Sequence, residues 1–244
     1  MSNKIIYLPE ITINENIMVL NSAYFINYIK NVLRFNINEE INISNNGVIY
    51  KTKISKITKK LIEFEILSKE NTKTNKKNKI TLIQSLFSWP RLEWLVEKSV
   101  ELGVDEIIFI QTQRSKLKIN NWNSKKERLN KIMYKALTQS HQSTLIKINE
   151  PLKADKLELN DGLKIIFDTK DENLTFTPEI INNAEQDIYV AIGPEGGFSE
   201  EEKSFFYNIG FKGYKMPLPV LRAETAAIAA LVLIISKLNG DKND

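Results

Sequence analysis

Apolar and polar positions alternate in short runs along the first 70 residues, as in strands that are buried on one side. One longer apolar stretch, residues 23–33, has a helical period and predicts a helix between these strands. The sequence SNNG at 44–47 favours a hairpin turn. Residues 68–79 are polar, basic and without period, and they predict a linker or an exposed loop. Strands are predicted at 4–8, 41–43, 48–57 and 61–67.

From Lys79 onward, apolar runs of strand length alternate with longer segments of helical period. Such alternation predicts a mostly parallel sheet covered by helices, and so an α/β fold. Ser124 and Ser199 are each followed three residues later by glutamate, which is the spacing of a capping box. Strands are predicted at 79–86, 106–112, 163–168 and 187–192, and helices at 90–103, 124–142, 199–210 and 225–238.

The charge of the chain is distributed unevenly. Residues 1–80 hold 13 Lys and Arg against 7 Asp and Glu, whereas residues 81–244 hold 21 against 23. A basic smaller part joined to a near-neutral larger part indicates contact with a polyanion such as RNA, although lysines also serve solubility alone. The most apolar run, 226–235, is shorter than the roughly 20 residues that span a bilayer, so a cytosolic protein without a membrane segment is expected.

Cysteine is absent from the sequence. Disulfides, thiolate metal sites and a cysteine nucleophile are therefore excluded, and no metal site is expected.

The sequence IGPEGGFSEEE, Ile192 to Glu202, lies between a predicted strand and a predicted helix. Its glycines allow backbone amides to approach a ligand closely, but it matches neither nucleotide fingerprint. A carboxylate at Glu195 would repel a pyrophosphate, so the loop suits a neutral or cationic ligand. The alternative is a tight turn in which Glu195 is solvated or interacts with the helix dipole.

A second segment, MPLPVLRAETAAIAAL from Met216 to Leu231, places Arg222 and Glu224 just before an apolar helix. Such a helix needs no ionisable pair at its start, so the pair is expected to take part in chemistry or to fix the backbone. Alternatively, Glu224 and Thr225 cap the helix and Arg222 pairs with Glu224.

Together these segments resemble the SPOUT-class methyltransferases that methylate N3 of a uridine in 16S ribosomal RNA. IGPEGGFSEEE and LRAETAAIAAL are similar to two of the family's motifs, and RLEWLVEKSVELGVDEI is similar to the opening of its second domain. NVLRF resembles a motif of its amino-terminal RNA-binding domain. Pro217 and Pro219 depart from the family, which usually has Gly and Arg in this approach.

The resemblance implies an amino-terminal PUA-like β-barrel at 1–70, a linker at 71–79 and a SPOUT α/β domain with a deep trefoil knot at 80–244. It also implies S-adenosylmethionine as cofactor, a homodimer formed through the methyltransferase domain, and 16S ribosomal RNA, within the small subunit, as partner.

The resemblance assigns site residues as well. Arg222 and Glu224 are the expected catalytic residues, and Asp168 is expected to close one side of the cofactor site. Cofactor binding is expected at Phe167, Ile192, Gly193, Glu195, Gly196, Gly197, Met216, Leu218, Leu221 and Thr225, and RNA binding at Lys4, Arg34, Arg91 and Arg114.

The composition agrees with this chemistry. Methylation of carbon 5 of a pyrimidine generally needs a thiolate, which this chain lacks. Methylation of nitrogen 3 or of a ribose oxygen needs in-line positioning and loss of one proton. Arg222 would stabilise the charge that develops on the uracil oxygens, while Glu224 would accept the proton or, preferably, orient Arg222.

Two other functions are compatible with the sequence. A sister enzyme that methylates a ribose 2′-hydroxyl would share the knot and the cofactor. A non-catalytic RNA-binding or ribosome-assembly factor would lack cofactor binding.

Overall fold

The computed structural model describes residues 5–71, 78–118, 121–140, 144–169, 174–181 and 185–240. The chain divides into two compact units. Met1–Asn75 and Tyr134–Leu145 belong to the first, and Lys76–Met133 and Ile146–Asp244 belong to the second. The first unit thus takes a segment from the middle of the chain, within the range predicted for the second domain.

A six-stranded sheet forms the first unit. Its strand order is β1-β4-β5-β6-β3-β2; β1 runs parallel to β4, and the other neighbours are antiparallel. Ile6, Leu20, Ile43, Ile54 and Phe64 are fully buried in its core. The strands are β1 (Ile5–Tyr7), β2 (Ile11–Asn14), β3 (Ile17–Leu20), β4 (Glu40–Asn45), β5 (Val48–Ile57) and β6 (Ile62–Asn71).

Three features of this unit differ from the predicted elements. The segment 23–33 forms the short helix α1 (Ala23–Asn27) and a π-helical turn, Tyr28–Val32, rather than one helix. Strands β2 and β3 escaped prediction because β2 is mostly exposed and β3 is apolar throughout. Strand β6 extends to Asn71, into the predicted loop, because its polar end pairs through backbone with β5.

The ring of Tyr7 is buried and stacks on the ring of Tyr134 at a centroid distance of 5.8 Å. Burial, assisted by Tyr134, raises the pKa of Tyr7 to about 12. A tyrosine pKa that is raised by folding leaves the stability unchanged below pH ~10. The stability then falls as the pH rises toward the pKa of the tyrosine in the folded chain.

We therefore expect the unsubstituted chain to lose about 2 kcal/mol of unfolding free energy between pH ~10 and pH ~12 through Tyr7 alone. Tyr7→Phe keeps the ring and removes the ionisation, so its stability should fall less over that range. Denaturant unfolding at several alkaline pH values measures the difference. Parallel stability curves for the two chains would contradict the prediction.

The second unit contains a parallel sheet covered by helices, as predicted; every strand pair described in it is parallel. Its order is β10-β8-β7-β12-β11-β13, and β9 also pairs with β8. All residues of β7 and β12 are buried, which explains the continuous apolar run of β12 and the apolar residues on both faces of β7. The strands are β7 (Ile80–Ser85), β8 (Glu106–Gln111), β9 (Lys147–Ile148), β10 (Leu152–Lys153), β11 (Leu163–Phe167), β12 (Ile188–Ile192) and β13 (Lys212–Tyr214).

Four further helices follow the predicted order, with two changes at their starts. Ser124 lies inside the first turn of its helix, which begins at Trp122, so Ser124 is not its cap. The last helix begins at Ala223, which places Glu224 and Thr225 in its first turn. Ser199 and Glu202 do form the predicted capping box. The helices are α2 (Trp89–Glu101), α3 (Trp122–Ser140), α4 (Glu200–Asn208) and α5 (Ala223–Gly240).

Helix α5 is long and apolar enough, by length and composition, to cross a membrane. In this structure it contacts helix α2 and strand β12 instead, and Ala227, Leu231 and Ile234 are fully buried. We therefore interpret it as a core helix of the second unit.

Candidate functional site

The two sequence motifs meet at the carboxyl edge of the parallel sheet. From β7 the chain adds β8, β9 and β10 on one side and later places β12, β11 and β13 on the other. Ligands of open α/β sheets bind outside the carboxyl ends of strands where the order reverses in this way. The loops after β7, β11 and β12 all lie at that position.

The glycine-rich motif forms a tight turn after β12. The Gly197 N–H donates to the Pro194 carbonyl oxygen at 2.9 Å, and Gly197 has a φ of 71°, a conformation that favours glycine. Arg114 holds the turn in place, because its Nη1 donates to the carbonyl oxygens of Gly196 at 2.7 Å and Phe198 at 3.1 Å. A Cβ at Gly196 would lie 3.2 Å from Cδ of Arg114, so glycine permits this close approach.

Helix α4 ties the same loop to the end of β8. Glu202 accepts the backbone N–H of Ser199 at 2.9 Å through Oε2 and that of Gln113 at 2.6 Å through Oε1. The capping carboxylate therefore joins two loops of the site as well as closing the helix.

Two adjoining cavities, which we call the motif cavity, lie between the glycine-rich turn and the start of α5. Their volumes are about 320 Å³ and 140 Å³, and they share walls at Phe167, Ile192 and Leu221. Joined, they lie within the size range of small-molecule sites. The predicted cofactor residues that line the motif cavity are Phe167, Ile192, Gly193, Glu195, Gly197, Met216, Leu218 and Leu221.

A buried ion pair forms one wall of the motif cavity. Asp168 follows β11 and lines both parts of the cavity, and its Oδ2 pairs with Nζ of Lys203 on α4. Both side chains are nearly inaccessible to solvent. Because the lysine fixes the carboxylate, Asp168 presents a positioned negative group to a ligand.

A second ion cluster joins helix α2, the glycine-rich turn and helix α5. Arg91 donates through Nε to Oε1 of Glu224 at 2.7 Å, and its Nη2 and Nη1 pair with Glu224 and Glu195 respectively. The hydrogen bond with Glu224, followed by that with Glu195, raises the pKa of Arg91. Burial alone would raise the pKa of Glu224, but the hydrogen bonds from Arg91 and from its own backbone lower it.

This geometry corrects the expected relation between Glu224 and Arg222. Glu224 does not orient Arg222, because both of its carboxylate oxygens are engaged by Arg91. Arg222 is exposed and lines the motif cavity, and its carbonyl oxygen accepts the Ala226 N–H at 2.8 Å at the start of α5. The guanidinium is therefore available to a ligand, whereas Glu224 is occupied within the protein.

Some predicted site residues lie elsewhere. Thr225 is exposed and lines neither part of the motif cavity, because the helix turns Ala226 toward that cavity instead. Gly196 faces Arg114. Arg34 is exposed in the first unit with a left-handed φ of 59°, and Lys4 lies outside the described residues.

Several residues of the site were not predicted. Thr169 and Ala226 line the motif cavity, and the position of Thr169 after a strand was the available signal. Lys203 had no such signal, because a lysine on a helix is usually solvated. Arg91 and Arg114 were predicted to bind RNA, and the structure shows them engaged with the loops of the site.

Family models match most of the chain. Residues 74–235 match an RNA methyltransferase domain, and residues 26–67 match an RNA methyltransferase PUA domain. The larger match contains every residue of the motif cavity.

Curated relatives are similar over nearly their whole length. Ribosomal RNA small subunit methyltransferase E from Aquifex aeolicus is 30% identical over 84% of this chain and 89% of the relative. The protein of the same name from Buchnera aphidicola subsp. Schizaphis graminum is 31% identical over 90% of each chain.

Solved structures with bound cofactor share the fold. A methyltransferase from Legionella pneumophila in complex with SAM has a TM-score of 0.85 at 27% identity, covering 97% of this chain and 98% of that chain. Ribosomal RNA small subunit methyltransferase E from Neisseria gonorrhoeae, bound to S-adenosyl methionine, has a TM-score of 0.82 at 27% identity, covering 96% and 97%. With the matched domains and the two motifs at one cavity, the chain belongs to the RNA methyltransferase family, among the small-subunit ribosomal RNA methyltransferases E.

Proposed function

We propose that this chain transfers the methyl group of S-adenosylmethionine to N3 of a uridine in 16S ribosomal RNA. The observation that carries the proposal is the motif cavity, in which both family motifs line one site of suitable size. The likeness of the whole chain to methyltransferases solved with this cofactor supports the same function.

The residues of the motif cavity fit the cofactor. In the larger part, the carboxylates of Asp168 and Glu195, held by Lys203 and Arg91, offer acceptor oxygens to a ligand with a sulfonium and an ammonium group. Phe167, Leu218 and Leu221 supply apolar surface for an adenine ring. Gly193 and Gly197 leave backbone groups accessible beside them.

Bound in this site, S-adenosylmethionine supplies an electrophilic methyl group; its transfer to N3 yields S-adenosylhomocysteine and releases the N3 proton. Arg222 stabilises the negative charge that develops on the uracil oxygens as the proton leaves. Glu224 is a poor proton acceptor, because its pKa is lowered by Arg91 despite burial. In this proposal Glu224 acts by holding Arg91, and the proton passes to solvent.

The remaining parts of the proposal concern the assembly. The first domain, a PUA-like barrel at 1–70, binds RNA through basic residues: Arg34, which is exposed, and Lys4. The linker proposed at 71–79, of which Asn71 still belongs to β6, leads to the knotted SPOUT domain at 80–244. Homodimerisation through that domain is supported by exposed apolar side chains on helices α2 and α5, Trp94 and Val232. The substrate is the small ribosomal subunit in the cytoplasm.

The test is methyl transfer from labelled S-adenosylmethionine to purified small subunits that lack the modification, followed by nucleoside analysis. Labelled 3-methyluridine is expected, and subunits that already carry the methyl group should remain unlabelled. A label on a ribose 2′-hydroxyl would identify the sister enzyme instead. Failure to bind S-adenosylmethionine would favour the assembly factor.

A further inference from the structure

Positive charge is distributed unevenly within the larger part of the chain. Residues 118–131, which we call the basic segment, hold 5 Lys and Arg against 1 Asp or Glu, whereas the remaining residues of 81–244 hold 16 against 22. The basic segment covers the end of the loop after β8 and the first half of helix α3, and all of it belongs to the second unit. A basic segment within an otherwise acidic region indicates a local contact with a polyanion.

Most cations of the basic segment are open to solvent. Arg128 keeps 65% of its side chain exposed although it pairs with Glu93. Glu127 is the one carboxylate that the segment itself contains. Positive charge therefore extends along the first half of α3 with little acidic compensation. The exposed cations are Lys118, Lys126, Arg128 and Lys131.

Helix α2 holds the first half of α3 in place. Trp122 at the start of α3 is buried. The Lys125 ammonium lies over the Trp89 ring of α2, 4.6 Å from its centroid. Arg128 donates through Nη2 to Oε2 of Glu93 on α2 at 2.7 Å. The exposed cations of α3 are therefore presented from a helix whose position is fixed by packing and by pairing.

The surface of the basic segment suits a phosphate backbone better than a protein or a membrane. Large apolar side chains that are exposed, which anchor most protein and membrane contacts, are absent from Lys118 and residues 121–131. Asn121, Asn123 and Ser124, which are exposed, lie between the cations instead. Lysine, arginine, asparagine and serine side chains are groups that contact phosphate and sugar in nucleic acids. The side chains of the segment therefore favour a nucleic acid as its partner.

The basic segment begins close to the motif cavity. Arg114, in the same loop, holds the glycine-rich turn through the carbonyl oxygens of Gly196 and Phe198. Lys118 follows Arg114 by four positions, so their Cα atoms are at most about 14 Å apart. An RNA whose reacting nucleotide lies at the motif cavity therefore has neighbouring phosphates within reach of the segment.

We propose that the basic segment binds the phosphate backbone of the substrate RNA beside the methylated nucleotide, so that the second unit contributes RNA affinity of its own. The proposal rests on the proposed function, which supplies the RNA, and adds a surface that holds it. Lys118, Lys126 and Lys131 contact phosphates as point charges and read no base. They raise the affinity for RNA and its salt dependence, but not the rate of transfer within the bound complex.

Two triple variants with the same net charge test the surface. The segment variant combines Lys118→Gln, Lys126→Gln and Lys131→Gln. The control variant removes three exposed cations elsewhere in the second unit and combines Lys153→Gln, Lys156→Gln and Lys212→Gln. The Kd for purified small subunits that lack the modification is measured with S-adenosylhomocysteine present, at about 50 to 200 mM KCl and constant Mg²⁺.

We expect the segment variant to lower the slope of log Kd against log salt concentration by about 2, because each phosphate contact contributes about 0.7. Its Kd at about 100 mM KCl should rise about tenfold or more, and the control variant should change the slope by less than about 0.5. The Kd of S-adenosylmethionine and kcat at saturating subunits should stay within about twofold in both variants. An unchanged slope in the segment variant, or equal changes in the two variants, would overturn the proposal.

Further results separate the RNA contact from other partners and from the proposed function. Protein-free 16S ribosomal RNA should show the same difference in slope; a difference seen only with assembled subunits would assign the surface to a ribosomal protein and refute the RNA contact. If the chain forms 3-methyluridine but the segment variant binds RNA like the control, the proposed function stands and the surface is wrong. If the segment variant loses RNA affinity as expected but the chain forms no 3-methyluridine, the surface stands and the proposed function fails.

Discussion

Arg91→Ala is expected to lower the free energy of unfolding by about 3 kcal/mol, because it leaves the buried carboxylate of Glu224 without its partner. Glu224 is only 8% exposed and its two oxygens are both engaged by Arg91. The substitution also frees Glu195, so the glycine-rich turn loses one of its anchors. Denaturant unfolding at neutral pH measures the loss.

A more exposed ion pair of the same unit serves as the control. Lys147 pairs with Glu106 at 2.8 Å, and the two side chains are 63% and 24% exposed. Lys147→Ala should therefore cost less than about 1 kcal/mol. In a double-mutant cycle, Arg91→Ala combined with Glu224→Gln should cost clearly less than the sum of the two single losses. Additive losses, or equal losses at Arg91 and Lys147, would show that the cluster does not stabilise the fold.

The stability that Arg91→Ala loses should depend on pH, in a direction that follows from the pKa of Glu224. Glu224 has a lowered pKa in the folded chain, since the hydrogen bonds from Arg91 and its own backbone outweigh burial. Such a group stabilises the fold above its ordinary pKa, and the contribution is lost as the pH falls through the folded value. The difference between the unsubstituted chain and Arg91→Ala should therefore be complete near neutral pH and shrink in acid.

The pattern of apolar residues was sufficient to predict the parallel sheet. Strands β7 and β12 are buried at every position, and β8 and β11 are buried over much of their length, so their apolar residues identify them without tertiary information. Strand β2 lacks such a signal, because it is mostly exposed and is held by backbone pairing with β3. Elements defined by their neighbours rather than by their own burial cannot be recognised in this way.

The same limit applies to the site. The motifs around Gly193 and Leu221 are local, so the sequence alone placed them beside a ligand. Arg91 and Glu224 are separated by 133 positions, and their pairing depends on how helices α2 and α5 pack. The sequence suggested the adjacent Arg222 as the partner of Glu224, because proximity along the chain was the only distance available. Lys203 and Asp168, which pair in a wall of the motif cavity, are likewise far apart along the chain, so their pairing could not be predicted from the sequence.

Arg222→Ala is expected to lower kcat for methyl transfer by about 100-fold or more, with a change of less than about threefold in the Kd of S-adenosylmethionine. The guanidinium lies exposed on the wall of the motif cavity, and its proposed role is to stabilise charge that exists only as N3 loses its proton. An interaction made only in the transition state lowers kcat and kcat/KM equally when it is removed. Single-turnover transfer and calorimetric titration of the cofactor measure the two quantities separately.

Lys215→Ala is the matched control, because Lys215 is another exposed cation that lines the motif cavity. If Arg222 acted only by adding positive charge, Lys215→Ala would lower kcat to a similar degree; we expect less than about a fivefold loss. Arg222→Lys keeps the charge without the planar fork of donors, so its kcat should lie between those of the alanine variant and the unsubstituted chain. Parallel losses of kcat and cofactor affinity in Arg222→Ala would instead assign Arg222 to cofactor binding.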